Sequence, residues 1–333
     1  MAENVLATFC RAIDIIVHEH ESVLSGLDMM SDSDKSQIAR WNHHQWADFH
    51  VCVHDLISEQ ALARPQVVAI DAWDGRFTYE ELDSITSDLS RLLVLNGVKP
   101  ESLVPIGFSK SRWTVVAQLA TLKAGGACVA FDPEHPRNRR EQMVQQCDAT
   151  TAIVAEGSEF LFEGLVPHVI ILGAKTIRTL LQGQKELTLR SAAPAVSPWN
   201  PAFVVFTSGS TGKPKGIVLE HHAICSSAKA HGPAMNYGPD ARVLQFASYT
   251  FDVSIGETFT CLMSGGTLCI PSEYERMNDL AGVINRMNAK VVYLTPSVVS
   301  LLHPSEVPGV HTLALGGEAL RENNITTWAE HTN

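Results

Sequence analysis

Short apolar runs recur along most of the chain, and helical segments lie between several of them. Nine runs have the length and composition of buried strands: 103–107, 127–131, 151–155, 168–172, 202–206, 243–247, 267–270, 290–294 and 311–315. Helical periodicity is found at 112–124, 137–147, 221–231, 254–264 and 278–288. Because strands that alternate with helices usually pair in parallel, the sequence predicts an α/β fold with largely parallel sheets flanked by helices.

Further helices are predicted before this region. The segment from His54 to Ala63 ends before a proline, and Tyr79 to Asn96 has one apolar face and a glycine after it. Residues 5–27 have the spacing of an amphipathic helix, and Ser31 begins a polar start signal for another. We divide the chain into a linker-like segment, 1–50, and a domain, 51–333.

Composition narrows the function classes. Hydrophobic residues make up 45% of the 333-residue chain, which is enough for a sizeable core. The net charge of −11 argues against a nucleic-acid partner. Seven cysteines without a C-x-x-C pair predict reduced thiols rather than disulfides or a metal site. We find no signal peptide and no membrane-spanning run, so we expect a cytoplasmic protein without a membrane partner.

The run from Phe206 to Gly216 carries the clearest chemical signal, since an apolar strand leads into glycines, hydroxyls and two lysines. Such groups can surround phosphate oxygens and offset their charge. The spacing differs from that of the common P-loop, because Pro214 interrupts the motif where a helix should begin. The candidate phosphate ligands are Thr207, Ser208, Gly209, Ser210, Thr211, Gly212, Lys213 and Lys215. A surface turn with two solvated lysines is the alternative.

This run resembles the phosphate loop of the adenylate-forming, or AMP-binding, enzymes, which include nonribosomal peptide synthetase adenylation domains, acyl-CoA synthetases and luciferases. Segments 77–82, 122–136, 251–254 and 315–320 resemble other motifs of adenylation domains, in the family's order. The resemblance covers roughly residues 50–333. It implies the large N-terminal subdomain of that fold, with two packed α/β sheets and part of a small barrel, and without the small C-terminal subdomain.

The resemblance implies a specific reaction. A substrate carboxylate attacks the α-phosphorus of ATP, which gives an acyl-adenylate and releases pyrophosphate, with Mg²⁺ expected on the phosphates. Lys213 and Lys215 would neutralise charge at the reacting phosphates. Asp252 would pair with the α-ammonium of an amino acid, and we expect this carboxylate to be buried and in need of that partner. A helix N-cap is the alternative role for Asp252.

The remaining site residues follow from the same motif alignment. Val253, Gly256, Ser297, Leu313 and Leu315 would line the pocket for the substrate side chain, with Gly256 leaving room for a bulky one. Gly316, Gly317 and Glu318 would form the wall beside adenine. Ordinary core packing for the apolar members, and a strand-ending turn for the glycines, are the alternatives. The motifs do not identify the amino acid.

Several family parts are absent from the sequence, namely the Tyr-Gly-Pro-Thr-Glu motif, the ribose-binding aspartate, the hinge and the catalytic lysine. We therefore expect this chain alone to be weak or inactive. Residues 1–50 resemble the linker after a condensation domain, so an upstream condensation domain and a downstream carrier domain are expected partners. Phosphopantetheine would be attached only to that carrier domain. An acyl- or aryl-CoA ligase and a non-catalytic truncated remnant remain open.

Overall fold

The computed structural model describes residues 2–19, 21, 23–43, 49–176, 194–208 and 214–332. It has two compact units, Met1–Ala47 and Asp48–Asn333. The first contains helices α1 (Ala2–His18) and α2 (Asp32–Trp41), with a short 3₁₀ turn at Leu24–Gly26. The prediction of one helix over 5–27 is wrong at its end, since α1 ends at His18 and the 3₁₀ turn is separate from it. Ser31 caps α2, as expected, by accepting the Asp34 N–H at 3.1 Å.

The second unit contains the remaining helices of the described residues. They are α3 (Val53–Ala63), α4 (Tyr79–Leu95), α5 (Arg112–Lys123), α6 (Arg137–Cys147), α7 (His221–His231), α8 (Val253–Ile255), α9 (Cys261–Met263), α10 (Glu273–Asn278), α11 (Leu280–Arg286), α12 (Pro296–Val299) and α13 (Glu322–Trp328). A π-helical segment, Gly256–Thr260, joins α8 to α9, so the predicted helix at 254–264 is present with a wider turn inside it. The helix predicted at 278–288 is interrupted at Asp279. None of the helices in the described ranges is both long and apolar enough to cross a bilayer.

Twelve strands of the described residues form two six-stranded sheets. They are β1 (Val68–Ala72), β2 (Gly75–Thr78), β3 (Leu103–Gly107), β4 (Ala127–Phe131), β5 (Thr151–Ala155), β6 (His168–Leu172), β7 (Pro201–Ser208), β8 (Pro214–Glu220), β9 (Arg242–Leu244), β10 (Thr267–Ile270), β11 (Val291–Leu294) and β12 (Thr312–Leu315). One sheet has the order β12-β11-β9-β10-β1-β2 and the other β6-β5-β3-β4-β7-β8.

The pairing is parallel in both sheets except at one edge of each, where β2 pairs with β1 and β8 with β7. This confirms the predicted fold class. The edge hairpin β1–β2 and strand β8 were not among the predicted runs. Charged residues interrupt β1 and β2, and β8 has several exposed side chains. None of these three strands therefore has the uninterrupted apolar sequence of a buried strand. No barrel occurs among the described residues, so that part of the expectation is wrong here.

Helix α5 lies between the two sheets, since it contacts β1 of one sheet and β3 and β4 of the other. Its residues from Thr114 to Leu122 are all buried, which explains why its sequence has no charged residue in this stretch. Helix α4 packs beside it, and a Thr78–Glu81 capping box fixes the start of α4. The parallel strands that flank α5 place their carboxyl ends, and the loops after them, where ligands commonly bind in α/β proteins.

Candidate functional site

A cavity of about 610 Å³ lies beside the carboxyl ends of β4 and β7 and the loop that follows β9. Its lining comes from both sheets: Thr207 at the end of β7, Asp132 after β4, and residues 248–252 after β9 all contribute. This is the position that the topology of parallel sheets favours for a ligand site. The cavity therefore brings together the end of the phosphate-loop strand and Asp252, which are far apart in sequence.

The residues predicted to bind phosphate lie on the β7–β8 hairpin or at its tip. Thr207 and Lys215 are register partners across the two strands, and the Thr207 hydroxyl donates to the Lys215 carbonyl at 3.4 Å. Both residues are exposed, so their side chains can reach a ligand. The tip of the hairpin, with Gly209, Ser210, Thr211, Gly212 and Lys213, lies outside the described residues, and the described part of Ser208 is its backbone.

Asp252 borders the cavity just before α8 and is exposed. The expectation of a buried carboxylate is therefore wrong. Its Oδ1 accepts the N–H of the next residue, Val253, at 2.9 Å. A usual N-cap carboxylate bonds to the second or third N–H of its helix, so the capping role is met only in part. The carboxylate keeps acceptor sites that face solvent, where a cationic ligand group could bind.

The predicted side-chain pocket residues are distributed over three elements. Val253 and Gly256 are half-buried at the start of the helical segment, and a Cβ built on Gly256 meets nothing within 4 Å. Leu313 and Leu315 lie on β12 opposite Val292 and Leu294 of β11, and they pack against an apolar cluster. None of these four residues, nor Ser297, is among the lining residues of the 610 Å³ cavity.

The predicted adenine wall and one pocket residue are joined by hydrogen bonds. Ser297 donates its backbone N–H to Glu318 Oε2 at 3.0 Å, and its hydroxyl donates to the same oxygen. Hydrogen bonding from Ser297 lowers the pKa of the Glu318 carboxyl. Gly317 has φ +84°, and a Cβ on Gly316 would lie 2.1 Å from the Tyr293 hydroxyl oxygen. Gly317 therefore needs glycine for its backbone conformation, and a side chain at Gly316 would displace the Tyr293 hydroxyl.

Two basic residues of the cavity, a histidine and an arginine, were not predicted from the sequence. His135 and Arg139, which flank the start of α6, line the same cavity as Asp252. The Arg139 Nε is buried and has no hydrogen-bond partner among the described residues. Burial lowers the pKa of His135. Their sequence context, a polar and basic segment after a proline, is typical of an ordinary solvated helix start. It therefore did not indicate a role in a binding site.

A buried polar network beneath the cavity was also missed. Lys110, Gln245 and Glu257 are 5%, 0% and 1% exposed. Burial lowers the pKa of Lys110 and raises that of Glu257, while each opposite charge counteracts the effect of burial on the other. A single carboxylate among the apolar residues after Ile255 was the available sequence signal, and it is weak because such residues often face solvent.

Cys52, His54 and His221 form a second cluster, with donor atoms within 4.8 Å of one another. The Val53 N–H donates to His221 Nδ1 at 3.2 Å, so the neutral ring carries its hydrogen on Nε2. A ring in this tautomer presents no lone pair at Nε2 for a metal. The two imidazole rings meet edge to face at a centroid distance of 5.3 Å, which is a packing arrangement.

Comparison of the chain with known proteins identifies its family. The family model described as AMP-binding enzyme matches residues 57–333. The chain is 48% identical over 310 residues to nonribosomal peptide synthetase atnA of Emericella nidulans, which is 93% of this chain and 4% of that protein. It is 42% identical over 330 residues to N-benzoylphenylalaninol synthetase apmA of Penicillium brevicompactum, which is 99% of this chain and 14% of that protein. The chain thus spans only a small part of these relatives.

Solved structures share the fold. Nonribosomal peptide synthetase FmoA3 in its α-methyl-L-serine-AMP-bound form superposes with a TM-score of 0.80 at 20% identity, over 97% of this chain and 37% of that one. VinN in complex with L-aspartate superposes with a TM-score of 0.76 at 20% identity, over 86% and 75%. Together with the family match, these findings show that the chain belongs to the AMP-binding enzyme family of ATP-dependent ligases and is similar to the adenylation portions of nonribosomal peptide synthetases.

Proposed function

We propose that this chain is part of an enzyme that activates an α-amino acid as its aminoacyl-adenylate within a nonribosomal peptide synthetase. One observation carries the proposal: Asp252 and Thr207 line the same cavity, and Lys215 is the register partner of Thr207. The Asp252 carboxylate can bind an ammonium group, and the Thr207 and Lys215 side chains can bind phosphate. An amino acid and ATP could thus be bound next to each other. This is the combination that joining an amino acid to ATP requires.

The described residues fit ATP at two places. Thr207 and Lys215 would hold phosphate oxygens, and the turn at Gly316 and Gly317 offers backbone without side chains for a flat base. When bound, ATP supplies the α-phosphorus that accepts the substrate carboxylate, with Mg²⁺ offsetting phosphate charge. Lys215 would lower the repulsion between the two anions, and Asp252 would orient the amino acid through its α-ammonium group.

The relatives are multidomain synthetases, and this supports further proposals. A condensation domain before this region and a carrier domain after it would be the partners, and phosphopantetheine would be carried by the latter. The absence of a membrane-spanning helix from the described residues fits a cytoplasmic location. An acyl- or aryl-CoA ligase shares the fold but has no ammonium group to bind, so Asp252 favours the amino acid.

The test combines a measurement of ATP binding with a measurement of pyrophosphate exchange. Calorimetry would measure ATP–Mg²⁺ affinity of the 333-residue chain, and pyrophosphate exchange would be followed with each proteinogenic amino acid and its analogue lacking the amine. We expect ATP binding, and weak exchange with at least one amino acid but not with its analogue. Asp252→Ala should reduce the exchange with the amino acid alone. Equal exchange with both acids would favour the CoA ligase, and no ATP binding at millimolar concentration would reject an adenylating role for this chain.

A further inference from the structure

The buried network of Lys110, Gln245 and Glu257 has no part in the chemistry proposed above, although it lies next to the cavity. The Lys110 ammonium donates to the Gln245 carbonyl at 3.2 Å, to Gln245 Oε1 at 2.6 Å and to the Ala247 carbonyl at 2.9 Å. Three acceptors thus surround the three N–H donors of the ammonium group. A neutral amine has only two donors, so this geometry requires the charged form.

Glu257 completes the network from the π-helical segment. Its carboxylate accepts the Ala247 N–H at 3.1 Å and the Gln245 Nε2 donor at 3.0 Å. The Gln245 amide therefore bridges the cation and the anion, and each bond polarises the next. Ala247 is held at both its carbonyl and its N–H, by residues that lie far apart in the chain.

Ala247 is the residue immediately before the segment Ser248–Asp252, which lines the cavity. Side-chain bonds inside that segment are local, such as the 3.0 Å contact between the Ser248 and Thr250 hydroxyls. The Tyr249 ring also lies 5.2 Å from the Lys110 ammonium, which adds a cation–π contact within the same segment. Fixing Ala247 therefore fixes one end of the segment, and α8 fixes the other.

We propose that Lys110 and Glu257 are positioning residues that hold the cavity segment Ser248–Asp252 and so place the Asp252 carboxylate for the substrate. The effect on substrate rests on the proposed function of Asp252, whereas the effect on the segment does not. Charged groups suit this task because they bind both backbone polar groups of one residue, Ala247, strongly. Removing one partner leaves the other charge buried and unpaired, so the segment loses its anchor.

Lys123 provides a matched control in the same fold. It is also largely buried, and its ammonium donates to the Asp83 carbonyl at 3.0 Å, to Asp83 Oδ1 at 2.8 Å and to the Ser87 hydroxyl at 2.9 Å. It joins α5 to α4 and is not among the lining residues of the cavity. Lys110→Met and Lys123→Met therefore each remove one buried ammonium with three acceptors, but only the first touches the cavity segment.

Hydrogen–deuterium exchange on the 333-residue chain tests the positioning directly. We expect Lys110→Met to speed amide exchange at least tenfold in peptides covering 246–254, and Lys123→Met to leave these peptides unchanged. Glu257→Gln, which keeps the side chain's size, should act like Lys110→Met and serves if that variant does not fold. Equal exchange of 246–254 in the wild type and both network variants would overturn the proposal.

Kinetics give the second readout, with the amino acid that the wild-type chain exchanges fastest. Lys110→Met should raise the KM for that amino acid at least tenfold while the KM for ATP changes less than twofold, and Lys123→Met should change neither. Equal increases in both KM values would overturn a role in placing Asp252. If the wild type exchanges pyrophosphate with no amino acid, the proposed function fails for this chain, and the deuterium exchange alone decides whether the network positions the segment.

Discussion

A methyl group added at Gly256 is expected to stabilise the fold and to weaken substrate binding. Gly256 has φ −60° and ψ −52°, which alanine adopts without strain, and a Cβ there meets nothing within 4 Å. Replacing glycine by alanine at a compatible helical position gains about 0.5–1 kcal/mol, mainly because the unfolded chain loses freedom. We therefore expect Gly256→Ala to raise the free energy of unfolding by this amount and the Tm by roughly 2 °C.

Recognition should change in the opposite direction. If Gly256 borders the substrate side chain, the added methyl group occupies room that a bulky side chain needs. One methylene in an apolar pocket is worth about 1–3 kcal/mol, so the KM for a bulky amino acid should rise about tenfold or more. The predicted result is a more stable chain that binds its substrate less well.

Urea unfolding and pyrophosphate exchange measure the two effects on the same preparations. Gly238→Ala is the control, because a Cβ there also meets nothing within 4 Å while the residue lies in a loop outside the helical segment. A lower free energy of unfolding for Gly256→Ala would refute the geometric reasoning. An unchanged KM for every accepted amino acid would remove Gly256 from the substrate pocket.

Three further predictions use other parts of the structure. Lys215→Ala should weaken ATP binding about tenfold by calorimetry, since a charge-assisted phosphate contact is lost, and the exposed Lys99→Ala should not; equal affinities would place Lys215 outside the site. Tyr79→Phe should cost about 1–3 kcal/mol in urea unfolding, because the buried hydroxyl shares its one hydrogen between two backbone carbonyls at 3.0 and 2.8 Å. A cost below about 0.5 kcal/mol would mean that those carbonyls find other partners. Burial lowers the pKa of His221 from 6.5 to about 3 and that of His54 to about 4, so the unfolded chain binds more protons and stability should fall as pH decreases below 6.5. Urea midpoints between pH 7.5 and 4.5 should show a smaller slope for His221→Gln, and identical slopes would contradict this assignment.

Much of the fold could be predicted because strands of parallel sheets are buried on both faces. Such strands appear as apolar runs, and the structure contains a strand in each of the nine predicted runs. The strand predicted at 243–247 ends at Leu244. Gln245 still donates its N–H to the Cys269 carbonyl of β10, but the Ala247 N–H and carbonyl are bonded to side chains from distant segments. The hairpin β1–β2 was missed, because Asp71 interrupts the apolar run of β1 and because β2 is a short edge strand that tolerates charge.

The sequence by itself determined the family and the candidate phosphate ligands, because a loop that binds phosphate depends on local residue types and spacing. It could not determine that Asp252 is exposed, that Arg139 and His135 share its cavity, or that Lys110 and Glu257 hold the backbone of the same residue. These relations join residues separated by more than a hundred positions, and only the packing of two sheets around α5 decides which of them meet. Local patterns specify strands and turns, whereas the burial of a charge and its partner depends on the whole fold.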